Sequence, residues 1–352
     1  MTCNQCPRKC GSHINLYNDL ELIKSDHYCQ KPRHTGSLVL AKAMVHFWEE
    51  PCISGLNGSG GVFLSGCNLG CYFCQNHEIS NSKDQIGTQL DCDEMEKVLF
   101  KLKEQGCHNI NFVTGSHYIN ELASIMKSSS KNGLDLPFVW NSSAYETKFQ
   151  INTLQDCVDI YLPDLKFFSQ ELSSKVANAS DYFEVASKAI IEIIKQKPVN
   201  KYCDYAVDVN KYTADVNKDY IDHVNKDDIV DVNKKVTNTS KIQLLKEGVI
   251  IRHLVLPGFH QDSIKILEWI EANLSNSVTL SLLSQYIPDF YETGCKLNGG
   301  VIIPSLTRKL TTFEYEKVVN KAISLGFKDV YTQKKESASR EYVPIFKDDK
   351  PQ

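Results

Sequence analysis

The sequence predicts an α/β fold, a partial (βα)6 barrel of the TIM type preceded by a cysteine-rich metal knuckle. Short apolar runs alternate with amphipathic helical patterns from Val62 to about residue 335. These runs look like strands buried on both faces, which is typical of parallel sheets joined by right-handed crossovers. We count six or seven such units, fewer than a closed (βα)8 barrel needs. The chain has 352 residues, 42% of them hydrophobic, so it is long enough to bury this core.

The elements of the barrel follow from periodicity and end signals. In the first helix, Met95, Val98, Leu99 and Leu102 fall at helical spacing, and Asp91 with Glu94 can form a capping box. The predicted elements up to the fourth strand are strand 62–65, helix 92–105, strand 110–113, helix 118–131, strand 138–140 and strand 158–162.

The second half of the barrel continues the alternation. A helix begins after Ser180, strand 249–256 ends at a Pro-Gly pair, and a helix carrying Ile264, Leu267 and Ile270 follows. Strand 278–283 comes next. A capping box of Thr311 and Glu314 then opens a helix whose apolar side is predicted from Phe313, Val318 and Ala322, and strand 329–331 ends the barrel.

One segment interrupts this rhythm. Between about residues 198 and 243 the tripeptide Val-Asn-Lys recurs at irregular spacing among Asp and Tyr residues. We expect a low-complexity surface insertion here, disordered or marginally helical, because loops tolerate added length at small entropic cost. The predicted organisation is a cysteine-rich segment (1–35), a connector (36–61), the barrel (62–335, containing the insertion) and a C-terminal tail (336–352).

Composition narrows the setting in which the protein works. A net charge of -4 provides no basic field that would attract nucleic acid. The N-terminus has no apolar signal region and no 18-residue apolar run occurs, so we expect neither secretion nor a membrane span. Thirteen cysteines without a secretion signal favour reduced thiols and metal binding in a cytoplasmic, low-oxygen setting.

The chemistry is predicted for the loop after the first strand. Cys67, Cys71 and Cys74 lie within eight residues, and Gly66 and Gly70 permit the loop to wrap closely around a large group. Structural zinc sites use four ligands, and ordinary iron–sulfur sites use four cysteines. Three cysteines therefore suit a [4Fe–4S] cluster with one iron open to a non-protein ligand, the alternative being a zinc or disulfide knot.

A second cysteine group lies near the N-terminus. Cys3, Cys6, Cys10 and the more distant Cys29 form a complete set of four ligands, which can hold zinc or a second iron–sulfur cluster. The surrounding residues are polar, so we expect a small knuckle stabilised mainly by its metal. Unligated surface thiols are the alternative.

The cysteine loop, with the aromatic Phe73 just before its third cysteine, resembles the radical S-adenosylmethionine (SAM) enzymes. Within that superfamily the chain is similar to uncharacterised proteins related to pyruvate formate-lyase activating enzymes. The segments that carry this resemblance are CNQCPRKC, HFWEEPCISG, SGCNLGCYFCQN, IYLPDLK, DYFEVA, IIRHLVLPG and SQYIP. The resemblance implies a partial barrel, SAM bound at the open iron, and cleavage to methionine and a 5′-deoxyadenosyl radical that abstracts hydrogen.

The resemblance also implies where SAM binds. Many radical SAM enzymes carry Gly-Gly-Glu at the second strand end; this chain has only Gly115 there, so the contact to the methionine amine falls to backbone or Ser116. Asn141 and Ser142, at the third strand end, suit the ribose hydroxyls or the methionine head. No catalytic side chain is predicted beyond the cluster ligands.

Charged residues at the later strand ends complete the predicted SAM site. Asp164-Leu165-Lys166 resembles the D-L-K motif of the activases, and alternation places Asp164 and Lys166 on one face. Lys166 would balance the SAM carboxylate, and Asp164 the sulfonium or a bound cation. Arg252 interrupts an apolar strand, so it must face a polar interior, where a SAM carboxylate or the substrate is its expected partner. His253 points the other way and is expected to be a satisfied core or surface histidine.

Three functions follow as hypotheses. The first is a radical SAM enzyme that takes an electron from flavodoxin or ferredoxin and acts on an unidentified substrate, such as the glycine of a glycyl radical enzyme. The second is a radical SAM modifier of a small molecule or peptide that uses an auxiliary cluster at the N-terminal cysteines. The third is a non-enzymatic metal-binding adaptor that has lost SAM.

Overall fold

A computed structural model describes residues 6–9, 37–80, 86–208, 239–274, 278–288, 303–333, 338, 344 and 346. Its strands are β1 (Leu38–His46), β2 (Ser59–Leu64), β3 (Thr88–Leu90), β4 (Ile110–Val113), β5 (Phe138–Ser142), β6 (Ile160–Pro163), β7 (Lys201–Asp208), β8 (Thr239–Leu254), β9 (Thr279–Leu283) and β10 (Val330–Thr332). Its helices are α1 (Pro51–Ser54), α2 (His77–Ser80), α3 (Cys92–Glu104), α4 (Ile119–Lys131), α5 (Lys148–Leu154), α6 (Gln170–Ala177), α7 (Tyr182–Gln196), α8 (His260–Leu274) and α9 (Thr312–Ser324).

The strands form one sheet in the order β10-β9-β8-β6-β5-β4-β2-β1-β3, with β7 attached to β8. All pairings from β2 to β10 along this order are parallel, while β1 pairs antiparallel with β2 and β3. Helices connect the successive parallel strands, so their carboxyl ends share one edge of the sheet. The predicted α/β fold with a parallel sheet is confirmed, and the connector adds β1 and α1 to it.

Helix ends follow the predicted capping signals. Asp91 and Glu94 form a reciprocal capping box at α3, and Thr311 and Glu314 form another at α9. The prediction that Phe313 lies on the buried side of α9 is wrong, because its side chain is 65% exposed. Phe313 precedes Val318 by five positions, or about 140° around the helix, so it lies away from the buried face.

The ends of the Val-Asn-Lys insertion are also ordered differently from the prediction. Residues 201–208 form β7 and pair antiparallel with residues 239–247 of β8, so disorder or helix is wrong for both flanks. The antiparallel arm forms because β8 extends beyond its parallel neighbours and offers an edge, and Leu244 and Leu245 bury its base. Residues 209–238 lie outside the described part of the chain.

The amino ends of the parallel strands are closed by α1. Cys52 and Ile53 pack in a buried cluster with apolar side chains from the sheet, namely Val139, Ile160, Leu162, Leu245 and Ile250. This plug leaves the opposite edge, at the carboxyl ends of the strands, for chemistry. Among the described helices, none has the length and apolar character needed to cross a membrane.

Candidate SAM and iron–sulfur site

The three cysteines of the loop after β2 lie close together, with Cys67 and Cys71 buried and Cys74 half-buried. Cys67, Cys71 and Cys74 are free thiols. Burial raises the pKa of Cys71, and the neighbouring Cys67 and Cys74 raise it further. A thiol whose pKa is raised in this way stays protonated until a metal cation binds it. It then loses its proton and binds the metal as a thiolate.

The loop has the backbone conformation that wraps a bound group. Gly66 and Gly70 adopt positive φ angles of 89° and 70°, which a residue with a side chain rarely adopts. The amide of Gly66 donates to the carbonyl of Ile79 at 2.7 Å. The amide of Leu69 points at the Cys67 sulfur at 3.3 Å, as amides do around iron–sulfur clusters. Mutually close thiols, two of them buried and one half-buried, on such a loop fit a cluster held by three cysteines.

Aromatic rings fix the far end of the cysteine loop. Phe73 is buried, and its ring centroid lies 6.0 Å from that of Phe167 and 6.0 Å from that of Tyr286. The side-chain amide of Gln75 donates to the carbonyl of Gln285 at 2.7 Å. Phe73 therefore packs the loop against the segments that follow β6 and β9, and its role here is packing.

Asp164 and Lys166 lie beside the cysteines. Lys166 Nζ contacts Asp164 Oδ2 at 2.5 Å, which bears out their expected placement on one face. Burial lowers the pKa of Lys166, but Asp164 and the thiol of Cys71 outweigh burial and leave that pKa raised. A partly buried ammonium next to these thiols can attract an anionic group.

Tyr182 holds this charged segment in place. Its buried hydroxyl lies 2.7 Å from the carbonyl of Asp164 and 2.9 Å from that of Ser143, which share its single proton, and it accepts from the amide of Lys166 at 2.9 Å. A single hydroxyl thus joins the chain after β5 to the chain after β6.

Ser116 and Ser142 are brought together by a carboxylate that sequence analysis missed. Glu146 is buried and accepts hydrogen bonds from Ser116 Oγ at 2.6 Å, Trp140 Nε1 at 2.8 Å and Ser142 Oγ at 3.0 Å. Burial raises the pKa of Glu146, against the lowering effect of these three bonds. Both hydroxyls are used within the protein, so a contact from either to SAM remains a prediction.

Gly115 and Asn141 differ in what surrounds them. A Cβ atom at Gly115 would lie 2.7 Å from Leu122 and 2.8 Å from Trp140, so packing alone requires glycine there. The backbone of Asn141 accepts from the amide of Thr114 at 2.8 Å, which ties β5 to the end of β4. Thr114 has a positive φ of 60°, a strained conformation at the strand end that faces the site.

Arg252 has a different partner from the one expected. Its guanidinium is buried between two carboxylates, donating from Nε to Glu50 at 2.9 Å and from Nη2 to Glu49 at 2.5 Å. Asn111 Nδ2 donates to Glu49 at 2.8 Å from the opposite wall. Burial alone would raise the pKa of Glu50, but the charge and hydrogen bonds of Arg252 outweigh burial and lower it.

This charged cluster, the Arg252–Glu49–Glu50 triad, lies inside the barrel, where an unpaired cation would be very costly. The polar interior was correctly predicted for Arg252, but the protein itself supplies the countercharge. His253 faces the other way and is a satisfied core histidine, with Nδ1 2.7 Å from the Leu165 carbonyl and Nε2 2.8 Å from Ser263 Oγ.

Of the N-terminal cysteines, Cys6 belongs to the described residues and is buried. Cys3, Cys10 and Cys29 lie outside them, so the predicted second metal site is not tested. Within the described ranges, no group of three or more His, Cys, Asp or Glu side chains is arranged to hold a single metal ion.

The structure thus combines a parallel α/β sheet with three cysteines grouped on the loop after β2. The family model of the radical SAM superfamily matches residues 62–270, more than half of the chain. The chain therefore belongs to the radical SAM superfamily, whose members use a [4Fe–4S] cluster and SAM.

A curated relative is similar over almost the whole chain. The uncharacterized protein MJ0674 of Methanocaldococcus jannaschii is 26% identical over 336 residues, which cover 94% of this chain and 76% of that protein. Its name states no activity, so it adds none to the superfamily assignment.

Several solved structures are distantly similar to this chain. Streptococcus suis SuiB bound to the precursor peptide SuiA matches with a TM-score of 0.44 and 11% identity, over 76% of this chain and 47% of SuiB. The protein anSMEcpe with bound AdoMet matches with a TM-score of 0.43 and 12% identity, over 80% of this chain and 60% of that one. Methylornithine synthase (PylB) matches with a TM-score of 0.41 and 10% identity, over 77% of this chain and 70% of that one. This chain thus spans about half the length of SuiB.

Sequence analysis missed Glu49, Glu50, Glu146 and Tyr182 as residues of this site. Glu49 and Glu50 lie in the segment HFWEEPCISG, and Tyr182 lies in DYFEVA. An arginine in a buried strand requires a countercharge, but nothing in the sequence indicates that a pair of glutamates 202 and 203 residues earlier provides it. Glu146 gave no signal either, because a glutamate in a polar loop is usually solvated.

Proposed function

We propose that this protein cleaves SAM reductively and abstracts a hydrogen atom from a substrate bound above the barrel. The observation that carries the proposal is the convergence of Cys67, Cys71 and Cys74 with the Lys166–Asp164 pair at the carboxyl ends of the strands. When bound, the reduced cluster would supply one electron to the sulfonium of SAM, which would break its C–S bond to give methionine and a 5′-deoxyadenosyl radical and leave the cluster to be reduced again by an external donor.

The chain's own residues position the cofactor. Lys166 is proposed to attract the SAM carboxylate, and Asp164 to balance the sulfonium charge, because both lie beside the cluster ligands. Phe73, besides packing against Phe167, is proposed to line the cofactor site. The proposed walls of the cofactor site, at the ends of β4 and β5, are Gly115, Ser116, Asn141 and Ser142. Arg252 is proposed to support the site indirectly, through its ion pairs with Glu49 and Glu50.

The finer proposal is activation of a glycyl radical enzyme, with flavodoxin or ferredoxin as the electron donor. It is supported by the D-L-K segment and its position beside the cysteines. Incubation with a candidate partner under anaerobic, reducing conditions should then produce a glycyl radical signal in the partner. Deoxyadenosine release without that signal would favour modification of a small molecule or peptide.

The alternative with an auxiliary cluster is tested by metal content. About eight irons per chain in anaerobically purified protein favours a second cluster at Cys3, Cys6, Cys10 and Cys29, while about four irons and one zinc favours a structural knuckle. A protein that binds its cluster but not SAM would support the non-enzymatic adaptor.

The core proposal is tested by single replacements of the cluster ligands. Cys67→Ala, Cys71→Ala and Cys74→Ala should each abolish deoxyadenosine release from SAM, because a cluster left with two cysteines loses its defined open iron. Cys157→Ala is a matched control, since that thiol lies on the outer side of the barrel after α5 and donates to the Leu154 carbonyl. Retained SAM cleavage in any one of the three ligand variants would refute the proposal.

A further inference from the structure

A side chain from the N-terminal cysteine-rich segment contacts the cysteine loop of the barrel directly. Arg8 Nε donates to the carbonyl of Asn68 at 2.8 Å, and Nη2 donates to the carbonyl of Leu69 at 2.7 Å. Asn68 and Leu69 are consecutive residues between Cys67 and Cys71, and both are buried. The arginine therefore binds the backbone of the loop between two predicted ligands of one cluster.

The same guanidinium contacts the end of α6. Nη2 donates to the carbonyl of Ala177 at 2.9 Å, and Nη1 donates to the carbonyl of Asn178. Carbonyls at a helix carboxyl end have no partner within the helix, and a cation there is favourable. Arg8 thus joins the cysteine loop to α6, next to the direct backbone bond from the Tyr72 amide to the Val176 carbonyl at 2.9 Å.

Two further contacts fix the geometry. The Arg8 guanidinium carbon lies 5.2 Å from the ring centroid of Tyr145, close enough for a cation–π interaction. Asn68 Nδ2 donates to the carbonyl of Tyr145 at 2.7 Å, so the tyrosine and the cysteine loop are also joined directly. Around Arg8 the turn is closed by the Lys9 amide, which donates to the Cys6 carbonyl at 3.1 Å.

A guanidinium suits this position better than an ammonium. Four carbonyl oxygens surround it in different directions, and the planar guanidinium has five N–H donors in a fixed arrangement. Lysine would keep the charge but could not reach four acceptors spread around a plane. The contact is therefore selective for arginine on chemical grounds.

We propose that Arg8 is a positioning residue for the SAM-cleaving cluster. It holds the backbone between Cys67 and Cys71 in the conformation that presents the thiols, so the described residues 6–9 form part of the cluster site. This inference rests on the proposed function for the cluster itself, but the conformation of the loop can be measured without any cluster.

The test compares Arg8→Ala and Arg8→Lys with Lys9→Ala in the full chain. Lys9 is exposed and adjacent, so its replacement removes the same charge without the carbonyl contacts. Hydrogen exchange is measured by mass spectrometry on protein without a cluster. Arg8→Ala should speed exchange in peptides covering 66–76 and 172–180, and leave α3 and α8 unchanged. Arg8→Lys should show most of this effect, and Lys9→Ala none.

The second measurement uses the anaerobically reconstituted protein. Loss of iron to a chelator should be about 10-fold faster in Arg8→Ala than in the wild type, as is typical when groups that orient metal ligands are removed. The reduced cluster of this variant should also give an EPR spectrum that differs from wild type before SAM is added.

The outcomes separate the two proposals. If Arg8→Ala changes exchange only in peptides before residue 30, the arginine merely anchors the N-terminal segment and the inference is overturned. If Arg8→Ala matches Lys9→Ala in both exchange and iron loss, it is overturned as well. A wild-type protein that holds no SAM-responsive cluster contradicts the proposed function, while the exchange comparison still decides the role of Arg8 in shaping the loop.

Discussion

Replacement of Arg252 by methionine tests the internal countercharge of the barrel. Methionine keeps much of the side-chain volume and removes the charge. Asn111 still supports Glu49 in this variant, but Glu50 loses both of its bonds to the guanidinium and stays buried. Removing one partner of a buried ion pair costs about 3–5 kcal/mol, because the other charge is left uncompensated. We expect a loss of that size in the free energy of unfolding, measured by urea denaturation.

The stability loss of Arg252→Met should depend on pH, in a direction set by the pKa of Glu50. In the wild type the pKa of Glu50 is lowered, so its contribution to stability is present above its unfolded pKa and is lost as pH falls through the folded one. In Arg252→Met the guanidinium no longer opposes burial, which is the largest influence on Glu50, and the remaining hydrogen bonds, from Ser281 and the backbone, are weaker; the pKa of Glu50 should therefore rise above its ordinary value. The variant then loses stability as pH rises, so its deficit against the wild type should be larger at alkaline than at mildly acidic pH.

Two matched variants complete the experiment. Lys188→Met breaks an exposed pair with Glu184 and should change stability little. Adding Glu50→Gln to Arg252→Met should recover part of the loss, because the uncompensated carboxylate is gone. If Arg252→Met is as stable as Lys188→Met but binds SAM more weakly, the guanidinium contacts SAM as the sequence first suggested, and the reasoning from the triad is refuted.

Three further replacements probe the site. Lys166→Met should weaken SAM binding at least about 10-fold in equilibrium titration, the effect of losing a charge-assisted bond worth about 1.5–3 kcal/mol, with unchanged iron content; unchanged affinity would contradict the role of the ammonium. Glu146→Ala should cost about 1–3 kcal/mol of unfolding free energy, because it leaves buried donors unsatisfied, whereas Glu146→Gln keeps acceptor and shape and should cost less. Equal losses would argue against the hydrogen-bond account. Tyr182→Phe should lower the thermal midpoint and broaden the cluster EPR signal, and a spectrum identical to wild type would show that this hydroxyl does not position the Asp164 segment.

Much of the fold could be predicted from the sequence because local signals agreed with the tertiary structure. The capping boxes at Asp91 and Thr311 fixed two helix starts, and short apolar runs fixed the buried parallel strands. The failures arose where tertiary contacts decide. Residues 201–208 form a strand because β8 runs past its parallel neighbours and offers them an edge to pair with. The polar, repetitive composition of this region gave no strand signal in the sequence.

The site was predictable to the extent that its chemistry is local. Three cysteines on one loop and a charged pair two residues apart are visible in sequence. The partner of Arg252 was not, because Glu49 and Glu50 lie some 200 residues earlier and reach it through the barrel interior. The role of Arg8 was likewise not predictable, because its acceptors are backbone carbonyls of the cysteine loop and of α6, which are distant in sequence. Backbone carbonyls leave no signal in the amino-acid sequence.

EPR spectroscopy of the anaerobically reconstituted and chemically reduced protein, with and without SAM, tests the central claim most directly. A cluster held by Cys67, Cys71 and Cys74 should give a reduced [4Fe–4S] signal whose g values shift when SAM occupies the open iron. A protein that gives no such signal, or a signal indifferent to SAM, would contradict the assignment of SAM-cleaving chemistry to this loop.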